Sequence, residues 1–145
     1  MGRARRRWRH ENIVAAGALM PTVMHLMPLS NWVALGPDEP VSNPSLAAEG
    51  FIHCTDEAAV LLQVANAFYA SLPGDFIALY IDTTLLTSDC IWESPASING
   101  SAEAFAPLFP HVYGPIDRVA VVAIAGLVRE SDGRFVGYLP AVPST

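Results

Sequence analysis

The sequence predicts an α+β domain with one main helix. Three observations lead there. Short apolar runs succeed one another along the chain, at Val23–Met27, Phe51–Cys54, Phe76–Ile81, Cys90–Glu93, Val119–Val128 and Phe135–Tyr138, and read as strands. One segment, Asp56–Ala70, carries a long helical period. Strands that follow each other without alternating helices argue against a doubly wound parallel sheet.

The elements follow in order. Val23–Met27 is the first strand, closed by Pro28. Ser30 is placed to cap a short helix carrying Trp32, Val33 and Leu35, ended by Gly36-Pro37. The prolines Pro37, Pro40 and Pro44 make residues 36–44 a loop, and Pro44 opens a helical turn over Ser45–Glu49 that Gly50 ends. In the strand Phe51–Cys54, a period of two puts Phe51 and His53 on one face and Ile52 and Cys54 on the other. Thr55 is expected to cap the main helix, with Asp56 and Glu57 in its positive first turn and Val60, Leu61, Val64, Ala65 and Phe68 as its buried stripe.

After the turn Leu72–Asp75, the run Phe76–Ile81 is apolar on both faces, as a central strand should be. Asp82-Thr83-Thr84 turns the chain into the strand Cys90–Glu93. Residues 94–110 read as a connection with one helical turn near Glu103, leading to a proline-bracketed loop around His111. Val119–Val128 is a buried strand, and Asp132-Gly133 signals a hairpin to Phe135–Tyr138. The domain is expected over 22–140, with residues 1–21 a leader outside the fold and 141–145 a tail.

With 145 residues, 52% hydrophobic and 15% charged, the chain can bury a core and is no disordered polymer. No apolar run approaches the ~20 residues of a membrane-spanning helix, and a cytoplasmic location is expected. There is no lysine, and five of the 8 basic residues (Arg3, Arg5, Arg6, Arg7, Arg9) crowd the leader. The remaining body is acidic, which argues against a nucleic-acid partner. The leader imitates a signal peptide, with a basic stretch before Ile13–Met20. Its apolar part is barely long enough and Pro21 follows without a cleavage pattern, so a start at Met20 or Met24 is the reading preferred here.

Histidine titrates nearest neutrality, and two are set in unusual surroundings. His53 lies in Glu49-Gly50-Phe51-Ile52-His53-Cys54-Thr55, and His111 in Phe109-Pro110-His111-Val112-Tyr113-Gly114-Pro115. His53 reads either as an acid/base or as a core ring satisfied by a carbonyl. Gly50 lets a ligand approach the backbone, and Thr55 with the following helix start can take an anion. His111 and Tyr113 present two polar rings on a rigid loop, where binding residues are common. His25 sits mid-strand, and Glu93 beside Trp92 offers a carboxylate. No histidine pair has metal-motif spacing, so no metal is expected. Cys54 reads as a small hydrophobe.

Those two motifs, with Val23-Met24-His25-Leu26, the helix residues Gln63, Ala65, Asn66 and Phe68-Tyr69, the strand end Ile81-Asp82 and Glu93, resemble the bacterial domain of unknown function 952 family. The resemblance spans about residues 22–128; Thr55 stands where the family usually has serine. It implies a small split mixed or antiparallel sheet similar to the ADP-ribosyltransferase fold, with NAD as the cofactor offered. It further implies His25 at the dinucleotide-contacting position of the first strand and the His53–Thr55 segment shaping the pocket. The glutamate of that superfamily would fall to Glu93, with His111 as its replacement. The functional expectation is a transferase-like enzyme acting on a nucleotide-like, ribose-phosphate ligand, with His53, His111 and Glu93 catalytic and His25, Glu49, Gly50, Thr55 and Tyr113 binding. The alternative is a non-catalytic module for a small anionic ligand.

Overall fold

The computed structural model describes residues 22–94 and 108–144. The leader and the helical turn expected near Glu103 lie outside them. Strand β1 (Thr22–Pro28) runs directly into the short helix α1 (Leu29–Val33). Ser30 is its second residue rather than its cap, because the strand's closing Pro28 already occupies the capping position. Helix α2 (Pro44–Glu49) has Asn43 as its cap, whose side chain accepts from the Ser45 amide at 2.8 Å. Gly50 ends it at φ 94°, a left-handed conformation suited to glycine.

Strand β2 (Ile52–His53) precedes α3 (Ala58–Tyr69). Thr55 does not cap α3. Its backbone instead exchanges hydrogen bonds with Met24 on β1, at 2.6 and 2.9 Å, and the helix starts three residues later after Glu57. Of the expected stripe, Leu61 and Ala65 are buried, Val60 and Val64 half-buried, and Phe68 is 57% exposed. Strands β3 (Phe76–Asp82) and β4 (Cys90–Glu93) match expectation, and Asp82 Oδ1 accepts from the Thr84 amide at the intervening turn.

Two expectations need correction in the second half. Residues Phe109–Val112 form strand β5 rather than a loop. Proline is uncommon in a central strand, but Pro110 still accepts the Cys54 amide through its carbonyl at 3.0 Å. Strand β6 spans Val121–Arg129, two residues shorter at its start than expected. Arg118–Ala120 is a 3-10 turn, drawn aside because the Arg118 guanidinium donates to the Gly36 and Glu39 carbonyls and lies 4.0 Å over the Trp32 ring. Strand β7 (Phe135–Tyr138) follows the predicted hairpin. Beyond the expected domain end, Val142–Pro143 adds a short strand β8 against Ala123–Ile124.

All strand pairings among the described residues are antiparallel. One sheet has the order β1-β3-β6-β7, with β8 also on β6; the other is β2-β5-β4. The larger sheet is the middle layer. Its Val23, Ile77, Leu79 and Ile81 pack with Ile52, Cys54 and Val112 of the smaller sheet. Its opposite face, with Met24, Leu26, Phe76 and Ala78, packs on Leu61 and Ala65 of α3. β1 is the edge strand of the larger sheet, and the Met24–Thr55 bridge ties it to the smaller one.

The hairpin β6–β7 closes against the end of α3. A Cβ built on Gly133, whose φ is +96°, would lie 2.4 Å from the Ala70 carbonyl oxygen. Gly133→Ala is therefore expected to destabilise by roughly 1–3 kcal/mol, from left-handed strain plus that clash, read as a lowered denaturation midpoint. An unchanged midpoint would mean that the hairpin end is not held against the helix.

Candidate functional site

The three histidines among the described residues all line one cavity. His25 on β1 is buried, and its Nδ1–H donates to the His53 carbonyl at 2.9 Å. A carbonyl only accepts, so this bond fixes the tautomer and leaves Nε2 as a lone-pair acceptor. Burial lowers the His25 pKa from 6.5, against the smaller opposing effect of the carbonyl, and the nearby His53 adds to the lowering.

His53 and His111 stand directly opposite each other on β2 and β5, with ring centroids 5.3 Å apart at 81°. Each has its own carboxylate. Glu49, at the end of α2, accepts from His53 Nε2 at 3.0 Å. Glu93 on β4 accepts from His111 Nδ1 at 2.8 Å, and the same oxygen accepts from the Tyr113 hydroxyl at 2.5 Å. Those two bonds, Tyr113's first, hold the Glu93 carboxyl below its ordinary 4.5, and the carboxylate in turn raises the Tyr113 phenol above 10.0. Phe51 stacks on the His111 ring at 4.0 Å and 19°, fixing its plane. His111 is 2% exposed, whereas half of the His53 side chain is exposed.

A cavity of about 590 Å³ opens where β1, β2, β5 and α3 meet. Its polar wall is His25, Asn43, Glu49, His53, Thr55 and His111; its apolar wall includes Leu26, Leu61, Val64, Phe68, Tyr69 and Phe109. His25 Nε2, Thr55 Oγ1 and His111 Nε2 are buried without a hydrogen-bond partner among the described residues. Among the described residues no arginine lines this cavity. Arg118 and Arg129 bond loop and helix carbonyls, and Arg134 bonds Glu130. Among the described residues no group of three His, Cys, Asp or Glu side chains could hold a metal ion, and no helix is long and apolar enough to cross a membrane.

The family model described as "Protein of unknown function (DUF952)" matches residues 26–124. The chain belongs to this family. Among solved structures, the DUF952 chain is similar to the crystal structure of protein CC0527 from Caulobacter crescentus, with 23% identity, TM-score 0.58, and coverage of 79% of this chain and 93% of that one. A double mutant of the same Caulobacter protein matches at 22% identity and TM-score 0.57, with the same coverage. These likenesses show a shared fold. None of the curated proteins matches the chain.

Of the residues expected at a site, this DUF952 chain brings His25, Glu49, His53, Thr55 and His111 to the cavity wall. Gly50, Glu93 and Tyr113 are not on that wall. Gly50 serves the helix end, and Glu93 and Tyr113 stand behind His111. Sequence reading missed Asn43, whose turn chemistry reads only as a cap. It also missed Phe109 and the outer stripe of α3, which look like core residues.

The buried His25 makes stability depend on pH. Its folded pKa is depressed, so the unfolded chain binds protons more readily. The stabilising difference is complete above 6.5 and is lost as pH falls through the folded value. Glu93 acts in the same direction at lower pH, its contribution being held above 4.5 and lost below. The melting temperature, followed by circular dichroism, should fall from pH 7 to 5, and His25→Gln should flatten that fall. An equal slope in the variant would remove His25 from the explanation.

Proposed function

We propose that this cleft binds a ribose-bearing, nucleotide-like small molecule, with NAD the first candidate, and that His111 acts as a base on one of the ligand's hydroxyls. One observation carries the reading: three buried polar atoms, His25 Nε2, Thr55 Oγ1 and His111 Nε2, lack partners and belong to residues lining one cavity. Buried polar groups are hydrogen-bonded in the great majority of cases, so three orphans together support a ligand that supplies the partners. Both histidines already donate through Nδ1. Their free Nε2 atoms are acceptors, which suits hydroxyl or amine donors on the ligand.

The ribose hydroxyls of NAD fit this donor set, with His25, Thr55 and His111 holding them. The pyrophosphate is served less well, since no arginine among the described residues lines the cavity and the chain has no lysine. NAD bound there would supply a glycosidic bond primed for cleavage. The carboxylate on the cavity wall is Glu49; Glu93 acts through His111. In this reading His111 Nε2 takes the proton of the hydroxyl whose oxygen bonds to the anomeric carbon as the C–N bond to nicotinamide breaks, and Glu93 stabilises the resulting imidazolium. Nicotinamide leaves neutral with the electron pair of the broken C–N bond and takes no proton, so the more exposed His53, paired with Glu49, serves to hold the ligand.

The withdrawal of Glu93 from the wall favours the second reading, a non-catalytic binding module. Calorimetry with NAD, AMP and ribose 5-phosphate up to millimolar concentration tests both. Binding with product release supports the enzyme, and binding without product on long incubation supports the module. The absence of binding by all three would overturn the site.

A further inference from the structure

The helix α3 carries its apolar stripe one turn past the point where the sheet covers it. Leu61 and Ala65 are buried, Val64 is half-buried, and Phe68 is 57% exposed. Phe68 nevertheless lines the cavity, together with Val64, and Phe109 of β5 lines it too. Other large apolar side chains are exposed on this chain, Val33 and Val119 among them, and what sets Phe68 apart is its place on the cavity lining. That place is understandable if the last turn of the stripe faces a ligand. The imidazoles of His25, His53 and His111 line the same cavity. One cavity thus presents both hydrogen-bonding side chains and the phenyl rings of Phe68 and Phe109. Mixed lining of this kind fixes an amphipathic ligand by its polar end and holds the rest by contact.

From this arrangement we infer that Phe68 and Phe109 form a subsite for a flat, uncharged heteroaromatic ring, which makes the ligand a nucleoside or a nucleoside derivative rather than a bare sugar phosphate. The inference rests on the ribose-binding reading given above and adds its specificity. Aromatic side chains hold bases through their π-faces whatever the base's hydrogen-bonding edge, so Phe68 selects for a ring without choosing among bases. An aliphatic chain would gain apolar contact but no stacking.

Calorimetry on the full chain decides it, using adenosine, ribose 5-phosphate and octyl glucoside as probes, with wild type, Phe68→Ser and Phe68→Trp. Phe68 is exposed, so both variants should fold, which melting curves will verify. Adenosine affinity should fall about 5- to 150-fold in Phe68→Ser, the range for losing one base–aromatic stack, and be kept or raised in Phe68→Trp. Ribose 5-phosphate should bind the wild type more weakly than adenosine and be indifferent to both changes. If adenosine affinity is the same in all three proteins, or if octyl glucoside binds as well as adenosine and suffers equally in Phe68→Ser, the ring subsite is overturned while the cleft stands. If the wild type binds neither adenosine nor ribose 5-phosphate, the ribose reading itself fails, and the subsite with it.

Discussion

Replacing Arg129 by methionine is expected to be among the most damaging single changes in this fold, at roughly 3–5 kcal/mol. The guanidinium donates to the Gly133 carbonyl at 2.9 Å, to Gly74 at 2.6 Å, to Tyr69 at 2.9 Å and to Ala70 at 3.0 Å, and also to the Leu72 carbonyl. Tyr69 and Ala70 close helix α3, where unpaired carbonyls carry partial negative charge and a cation is favoured. The same group lies 4.5 Å over the Phe135 ring. Methionine keeps the apolar stem and removes every donor, leaving those carbonyls to water. Thermal unfolding should shift down by on the order of 10 °C. Arg129→Lys should recover part of the loss, because one ammonium cannot reach so many acceptors. A shift of a degree or two in Arg129→Met would show that solvent satisfies these carbonyls equally well.

The second large effect is expected at His111. Removing its imidazole with His111→Ala takes away one of the three buried atoms that, among the described residues, lack a partner and belong to cavity-lining residues, and with it the ring on which Phe51 stacks. NAD or adenosine binding should weaken at least tenfold, and any turnover should fall by roughly 10²–10⁴-fold, the usual contribution of a general base. Glu93→Gln separates catalysis from architecture. The amide oxygen can still accept the Nδ1 hydrogen, so the ring orientation and ligand affinity should survive. The imidazolium would lose its carboxylate, and turnover should fall while ligand affinity is kept. Unaltered binding in His111→Ala would mean that the cavity's ligand ignores this wall. Unchanged turnover in Glu93→Gln would leave Glu93 a structural prop only.

Much of the fold was legible because its signals were local. The alternation in Phe51–Cys54 correctly put Ile52 and Cys54 inward, and Asp132-Gly133 gave the hairpin. Both histidine motifs stood out in the sequence as polar rings in unusual local settings, and the structure sets His53 and His111 opposite each other on β2 and β5. What escaped was set by partners distant in sequence. Pro110 argued for a loop, yet its carbonyl is bonded to Cys54, so β5 survives the missing amide hydrogen. Thr55 had the chemistry of a cap, but pairing with Met24 claimed its backbone. Val119 looked like strand, and the pull of Arg118 on the residue 36–39 turn changed that. At the site, Glu93 beside a tryptophan gave no sign that it would stand behind His111. That relation exists only once β4 and β5 are in register, with Ile91 opposite His111.

The seam between Met24 and Thr55 has a dynamic consequence. It joins two sheets that each keep their own ladders, so it can part without either sheet melting. Its amides, Met24 N–H and Thr55 N–H, then become natural clocks for breathing of the molecule. If their deuterium uptake is faster than that of the β3 interior and slows when a small molecule is added, the halves swing apart and are latched by whatever enters between them.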